Sequence, residues 1–242
     1  HTHALIILHR NQEESFNSFL FTLLRRYWGW KDAKKRGTRL CFPEFKFVFP
    51  KAPEMYSERT RRRWWLGGWR RKRTMWFDVW DEADPTEKEE LQIPGLKFCI
   101  PQIIRLIQEE AQLLGGDTTK IILAGLEDGG GIAAHVLFNC GFQLGAVIGY
   151  CSGLPLYNPK RDLKAYREML PGPKHKEQLD EAVKKTPILL EYSLGDEMVT
   201  LERAREMRNA LIILGCEKVK WNEYEEDYHM FRDGDSKIGI NS

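Results

Sequence analysis

Short apolar runs alternate along this chain with longer amphipathic stretches. Residues 4–9 (ALIILH) are continuously apolar up to the histidine and predict a buried strand. A helical stretch follows from Ser15, with Phe16, Phe19, Leu20, Leu23 and Leu24 at helical spacing. Residues 45–49 (FKFVF) predict a strand stopped by Pro50. Over residues 100–114, Ile103, Ile104, Ile107, Ala111 and Leu114 share one helical face, and Gly115-Gly116 ends the helix. Further strands are predicted at 120–124, 144–151, 187–193 and 219–224, and further helices at 130–140 and 199–214. Strands alternating with helices imply βαβ units and a mostly parallel central sheet with helices on both faces. The strand runs are mostly continuous rather than alternating, as expected where both faces are covered. Two segments break the pattern: residues 56–73, and the polar residues 158–185 with Pro171-Gly172-Pro173, which read as a cap or surface excursion.

Composition narrows the class. The chain has 242 residues, enough for one large domain that buries a sizeable core without staples. A hydrophobic fraction of 42% excludes global disorder, and a net charge of +2 excludes a generally polybasic or polyacidic protein. The five cysteines (41, 99, 140, 151, 216) are widely spaced with no CxxC pair, which argues for free thiols in a reducing compartment. No spacing suits a metal, so neither a metal site nor a cofactor is expected. No apolar run reaches about 18 residues and no signal-peptide pattern is visible, so a cytoplasmic protein is expected. Charge is uneven despite its balance. Arg59, Arg61, Arg62, Arg63, Arg70, Arg71, Lys72 and Arg73 are interleaved with Trp64, Trp65 and Trp69. An anionic partner or a membrane surface fits such a run, and so does a solvated lid or partner-contact loop. Nucleic acid is disfavoured because no second basic patch supports it.

The candidate chemistry lies in Ile121-Ile122-Leu123-Ala124-Gly125-Leu126-Glu127-Asp128-Gly129-Gly130-Gly131. An apolar strand runs into a Gly-x-x-x-Gly turn and then a small-residue helix, which is the setting of a nucleophile elbow, G-x-S-x-G. Here the middle residue is Glu127.

With this segment the chain resembles the phospholipase/carboxylesterase family, which includes the acyl-protein thioesterases, and most of all its fungal members. Further matches run in order: Leu8-His9 resembles the strand end before the family's glycine-rich loop, Phe49-Pro50-Lys51-Ala52-Pro53 its P-x-A-P turn, and Trp76-Phe77-Asp78 its W-F-D motif. Leu154-Pro155 resembles its L-P turn, Gly195-Asp196-Glu197-Met198-Val199 the segment of its triad acid, and Tyr224-Glu225-Glu226-Asp227-Tyr228-His229 the segment of its triad base. The resemblance implies one α/β-hydrolase domain over residues 1–242. It implies that Asp196 orients His229, and that both face Glu127 across a pocket bordered by Arg10, Trp76 and Leu154. Asn11 and Asp128 fall at its oxyanion-hole positions.

The departures from the family cluster where ester chemistry happens. Glu127 stands at the serine position, and His9-Arg10-Asn11-Gln12-Glu13 lacks the loop glycines. Cys151-Ser152-Gly153 replaces S-G-W, and Tyr192-Ser193 replaces H-G. An oxyanion beside carboxylates at 127 and 128 would be repelled. Ordinary serine-type hydrolysis is therefore not expected. One reading is a pseudoenzyme, a binding module that takes an apolar small molecule or acyl chain in the elbow pocket. The alternative is a repurposed enzyme in which Glu127, His229 and Asp196 carry acid-base chemistry of isomerase, cyclase or lyase type. Residual hydrolysis is a third. Oligomeric state is not readable from the sequence.

Overall fold

The structure, a computed structural model, describes residues 1–9, 42–59, 72–158, 176–196 and 198–225. In chain order these carry β1 (His3–Leu8), β2 (Phe45–Val48), β3 (Glu54–Tyr56), β4 (Lys72–Thr74), α1 (Gln92–Leu113), β5 (Ile121–Leu126) and α2 (Asp128–Cys140). Then follow β6 (Ala146–Tyr150), α3 (Lys176–Lys185), β7 (Ile188–Ser193), α4 (Leu201–Ile213) and β8 (Val219–Tyr224). Six strands form one sheet in the order β2-β1-β5-β6-β7-β8, and every neighbouring pair is parallel. This is the sheet of a single α/β-hydrolase domain.

The sheet is built on continuous apolar runs. In β1, Ala4, Ile6 and Leu8 point into one large cluster shared with α1, α2 and α4, while Leu5 and Ile7 point to the other face. There they join Phe47, Phe49, Ala124, Leu126 and Ile148. Successive residues of a strand alternate sides, so a strand with no polar position is apolar on both. The helix expected from Ser15 onward lies outside the described residues.

Helix α1 begins well before residue 100. Pro94-Gly95 and Pro101 look like breakers in the sequence, yet all three lie inside the helix. Pro94 is tolerated near the start, where N–H groups have no intrahelical partner. Gly95 is needed for contact: a Cβ there would lie 2.5 Å from Phe77 Cα and 2.6 Å from the Trp76 carbonyl oxygen. Packing against Trp76-Phe77 thus wins over local propensity. Towards the other end of the helix, Lys46 of β2 donates to both carboxylate oxygens of Glu110, at 2.8 and 2.7 Å, and ties the edge strand to α1.

Both segments that broke the sequence pattern are partly described. Tyr56 pairs with Lys72 in the antiparallel β3–β4 hairpin, and the Lys72 ammonium lies 5.6 Å from the Tyr56 ring centroid. Arg59 is exposed, Arg73 lies in β4, and the basic-aromatic residues between 60 and 71 lie outside the described residues. The polar stretch 158–185 is not all surface excursion. Its end forms α3, whose Ala182 and Val183 are buried, so a helical face hides within a polar composition. Among the described residues, no helix is long and apolar enough to cross a membrane.

Candidate active site

The elbow forms as a strained turn between β5 and α2. Glu127 has φ 50° and ψ −118°, a combination natural to glycine and costly for a residue with a Cβ. Its N–H donates to the Tyr150 carbonyl at 3.0 Å, and its own carbonyl accepts from Gly130 N–H at 3.1 Å. Asp128 is the first residue of α2, at the positive end of the helix dipole. The turn closes because α2 approaches the strands without side chains in the way. A Cβ on Gly125 would lie 2.2 Å from the Gly129 backbone, and one on Gly129 would lie 2.1 Å from the Leu8 carbonyl oxygen.

That strain is measurable. Glu127→Gly removes the Cβ at a positive φ, while Glu127→Ala keeps it. The glycine variant is expected to be more stable than the alanine variant by about 1 kcal/mol in denaturant unfolding, after its own unfolded-state entropy is counted. A glycine variant less stable than the alanine variant, by the entropy of the unfolded chain alone, would mean that the turn carries no strain.

Asp196 sits just beyond β7 in a tight turn. Its N–H donates to the Ser193 carbonyl at 3.0 Å, and its Oδ1 accepts from the N–H groups of Met198 (2.9 Å) and Val199 (2.7 Å). Cys151, at the end of β6, connects this turn to the elbow. Its thiol accepts from Ser193 N–H at 3.4 Å. Burial, then the charges of Asp196 and Glu127, push the thiol well above its ordinary pKa, so it stays protonated. The Tyr192 hydroxyl is pushed up to about 12, first by burial and then by Asp196, and it donates to the Val199 carbonyl at 2.6 Å.

Of the expected triad, Glu127 and Asp196 are therefore brought to one end of the sheet, on either side of Cys151. His229 lies outside the described residues, as do Arg10 and Asn11. Tyr224 ends β8 beside Ser193 at this same end of the sheet.

A cleft of about 60 Å³ opens at the elbow. Its polar wall is Glu82, Gln92, Glu127, Asp128 and Arg203; its apolar wall includes Phe77, Val79, Pro155, Met198 and Val199. That is room for about two water molecules, far below the roughly 300 Å³ at which drug-sized ligand pockets begin. Trp76 and Leu154, expected on this wall, are elsewhere: Trp76 is 2% exposed and lines a separate cavity, and Leu154 belongs to the core. Their sequence neighbours Phe77 and Pro155 line the cleft instead.

Gln92 and Arg203 are among the cleft residues not singled out from the sequence. Gln92 is buried; its amide N–H donates to the Pro85 carbonyl at 2.7 Å and its amide oxygen accepts from Leu156 N–H at 2.9 Å, which fixes the rim. Arg203 sits in the first turn of α4, whose cap is the Thr200 hydroxyl accepting from Arg203 N–H at 3.4 Å. Burial pulls the Arg203 guanidinium below its ordinary pKa, while Glu206, Asp84 and Asp128 pull it back up. An Arg three residues after a Thr cap is a common surface pattern, so only tertiary structure reveals that it lines one cleft with Asp128 and feels its charge. Among the described residues, no group of three or more His, Cys, Asp or Glu is placed to hold a metal.

The fold has parallels among solved structures. Arabidopsis thaliana SOBER1 superposes with a TM-score of 0.59 at 17% identity, over 91% of this chain and 87% of that one. Zea mays acyl-protein thioesterase 2 gives 0.62 at 16% identity, over 93% and 84%. The Bacillus cereus carboxylesterase gives 0.55 at 13% identity, over 92% and 78%. No curated protein matches the sequence. At such identities the likeness establishes the fold. The profile of the phospholipase/carboxylesterase family matches residues 28–233, and the chain belongs to that family.

Proposed function

We propose that this chain is a member of its family that has given up ester hydrolysis and serves as a binding module on the hydrolase fold. The carrying observation is the pair of carboxylates at the elbow. Glu127 occupies the strained position from which a nucleophile serine would act, and Asp128 follows it. An acyl carbonyl attacked there develops negative charge beside both groups, and the N–H of Asp128 would have to offset them. A carboxylate is also a poor nucleophile toward acyl groups compared with a serine activated by histidine. The narrow, charged cleft supports the same reading.

Loss of both nucleophile and oxyanion support removes several powers of ten in rate. Purified protein given acyl thioesters and p-nitrophenyl esters is expected to turn over no faster than its Glu127→Ala and His229→Ala variants. Turnover that either substitution abolishes would overturn the proposal. Under this reading the segment from Arg59 to Arg73 remains the candidate contact for an anionic partner or membrane surface.

A second reading is favoured by one observation, the way Asp196 is held. Two backbone N–H groups fix its Oδ1, as suits a carboxylate that orients a base. In that reading His229 takes or gives a proton with Glu127 as its partner, on an apolar small molecule. A pH-rate profile that loses its acidic limb in His229→Ala, on a substrate with no ester, would support it.

A further inference from the structure

The elbow cleft holds a cation that the loss of ester chemistry leaves without a task. Arg203 is half-buried on the cleft wall, and its guanidinium itself lies there: a Cβ on Gly153, another wall residue, would be 3.5 Å from an Arg203 Nη and 3.6 Å from its Nε. The Arg203 backbone N–H has the Thr200 hydroxyl as its partner. Among the described residues the side chain has neither a hydrogen bond nor an ion pair; Glu206, Asp84 and Asp128 act on it through their charges alone. A guanidinium presents its N–H donors in a planar fork that fits a carboxylate.

The opposite charge lines the same cleft in excess. Of the described lining residues, Arg203 is the one cation, and Glu82, Glu127 and Asp128 carry carboxylates. A simple anion would gain the guanidinium and meet three like charges, so it does not fit. A ligand that offers Arg203 an acceptor must bring its own cation. The volume sets how far apart the two charges can be. About 60 Å³ is the room of about two water molecules, which leaves space for one carbon between an ammonium and a carboxylate. Val79 on the wall and Met198, 40% exposed, suit a short aliphatic group on that carbon.

We propose, resting on the reading of this chain as a binding module, that the elbow cleft takes a free α-amino acid with a short aliphatic side chain, its carboxylate on the Arg203 guanidinium and its ammonium beside Glu127 and Asp128. Calorimetric titration of the full chain tests this with L-valine and two analogues that each lack one pole, isobutylamine and isovalerate. L-valine is expected to bind saturably, isobutylamine at least 10-fold more weakly, and isovalerate not measurably. Arg203→Met keeps the stem and removes the fork. It is expected to weaken L-valine roughly 10- to 100-fold and to leave isobutylamine unchanged, whereas a merely structural Arg203 would move both alike. Glu127→Gln is expected to weaken L-valine and isobutylamine together, by roughly 3- to 10-fold. Should Arg203→Met fail to fold, the gap between L-valine and isobutylamine on the wild type carries the test. No saturable binding of L-valine, equal affinity for L-valine and isobutylamine, indifference to Glu127→Gln, or equal losses of both ligands in Arg203→Met would each overturn the proposal. The ester assays keep the two readings apart. Hydrolysis that depends on Glu127 and His229 overturns the binding module, while absent hydrolysis together with absent L-valine binding overturns the amino-acid ligand alone.

Discussion

Gly129→Ala is expected to lower the unfolding temperature by about 6–12 °C. The added Cβ would lie 2.1 Å from the Leu8 carbonyl oxygen and 2.8 Å from its carbonyl carbon. Both are backbone atoms of a central strand whose residues 6–8 are at most 1% exposed, so neither can rotate away. Either β1 or the start of α2 must move, in a core packed to crystal-like density. Overpacking of this kind costs about 3 kcal/mol, the upper end for one added carbon. In a domain of this size each kcal/mol shifts the midpoint by about 2–4 °C. Gly153→Ala is the control. Its Cβ would meet nothing nearer than the Arg203 guanidinium at 3.5 Å, an ordinary contact. A thermal melt of both variants checks the pair. If Gly129→Ala melts with the wild type, α2 is not seated on β1 as described.

The second large effect is a loss of stability in mild acid that traces to His135. The ring is 0% exposed inside α2, and its Nε2 lies 3.0 Å from the Pro155 carbonyl, so the neutral ring donates there. Burial lowers its pKa from 6.5 to about 4, with the bond to Pro155 opposing. The unfolded chain therefore binds a proton between pH 6.5 and about 4 that the folded chain refuses. Stability from this group is complete above the unfolded value and falls as pH drops from 6.5 towards 4. The shift corresponds to roughly 3 kcal/mol. The wild type is expected to lose about that much more stability than His135→Gln between pH 7 and pH 4, measured by urea unfolding at each pH. The difference isolates His135, because Asp84, Asp117 and Glu223 titrate in both proteins. Parallel curves would mean that the ring takes up a proton without unfolding the core.

His135 also illustrates what the sequence leaves obscure. Its neighbours in α2 are small, so the sequence suggests packing rather than catalysis, and packing is what it does. Its acceptor is 20 residues away, beyond the next strand. The parallel sheet was legible because its inner strands β1, β5 and β6 are nearly uninterrupted apolar runs, and the elbow was legible because strand, turn glycines and small-residue helix are contiguous. Asp196 was singled out by resemblance as the residue that orients His229, and the structure holds its carboxylate in the turn after β7 by two N–H groups. Arg203, Gln92 and Glu82 were not singled out, since each reaches the cleft from a separate segment. Trp76 was assigned to the elbow pocket through its resemblance to the W-F-D motif, and its neighbour Phe77 lines the cleft instead. Local sequence does not reveal which of two successive side chains faces which cavity. The start of α1 was missed because the apolar periodicity is clear only from residue 100, whereas the helix begins at Gln92 and seats Gly95 against Trp76-Phe77.

The central claim concerns the elbow, and pre-steady-state kinetics with p-nitrophenyl acetate tests it most directly. An acylating elbow releases one equivalent of p-nitrophenolate per protein molecule in a burst as the acyl group transfers. With Glu127 at the turn and Asp128 beside it, no burst is expected, and the slow release should equal that of Glu127→Ala. A burst of one equivalent that disappears in both Glu127→Ala and His229→Ala would contradict the claim and return the protein to the hydrolases.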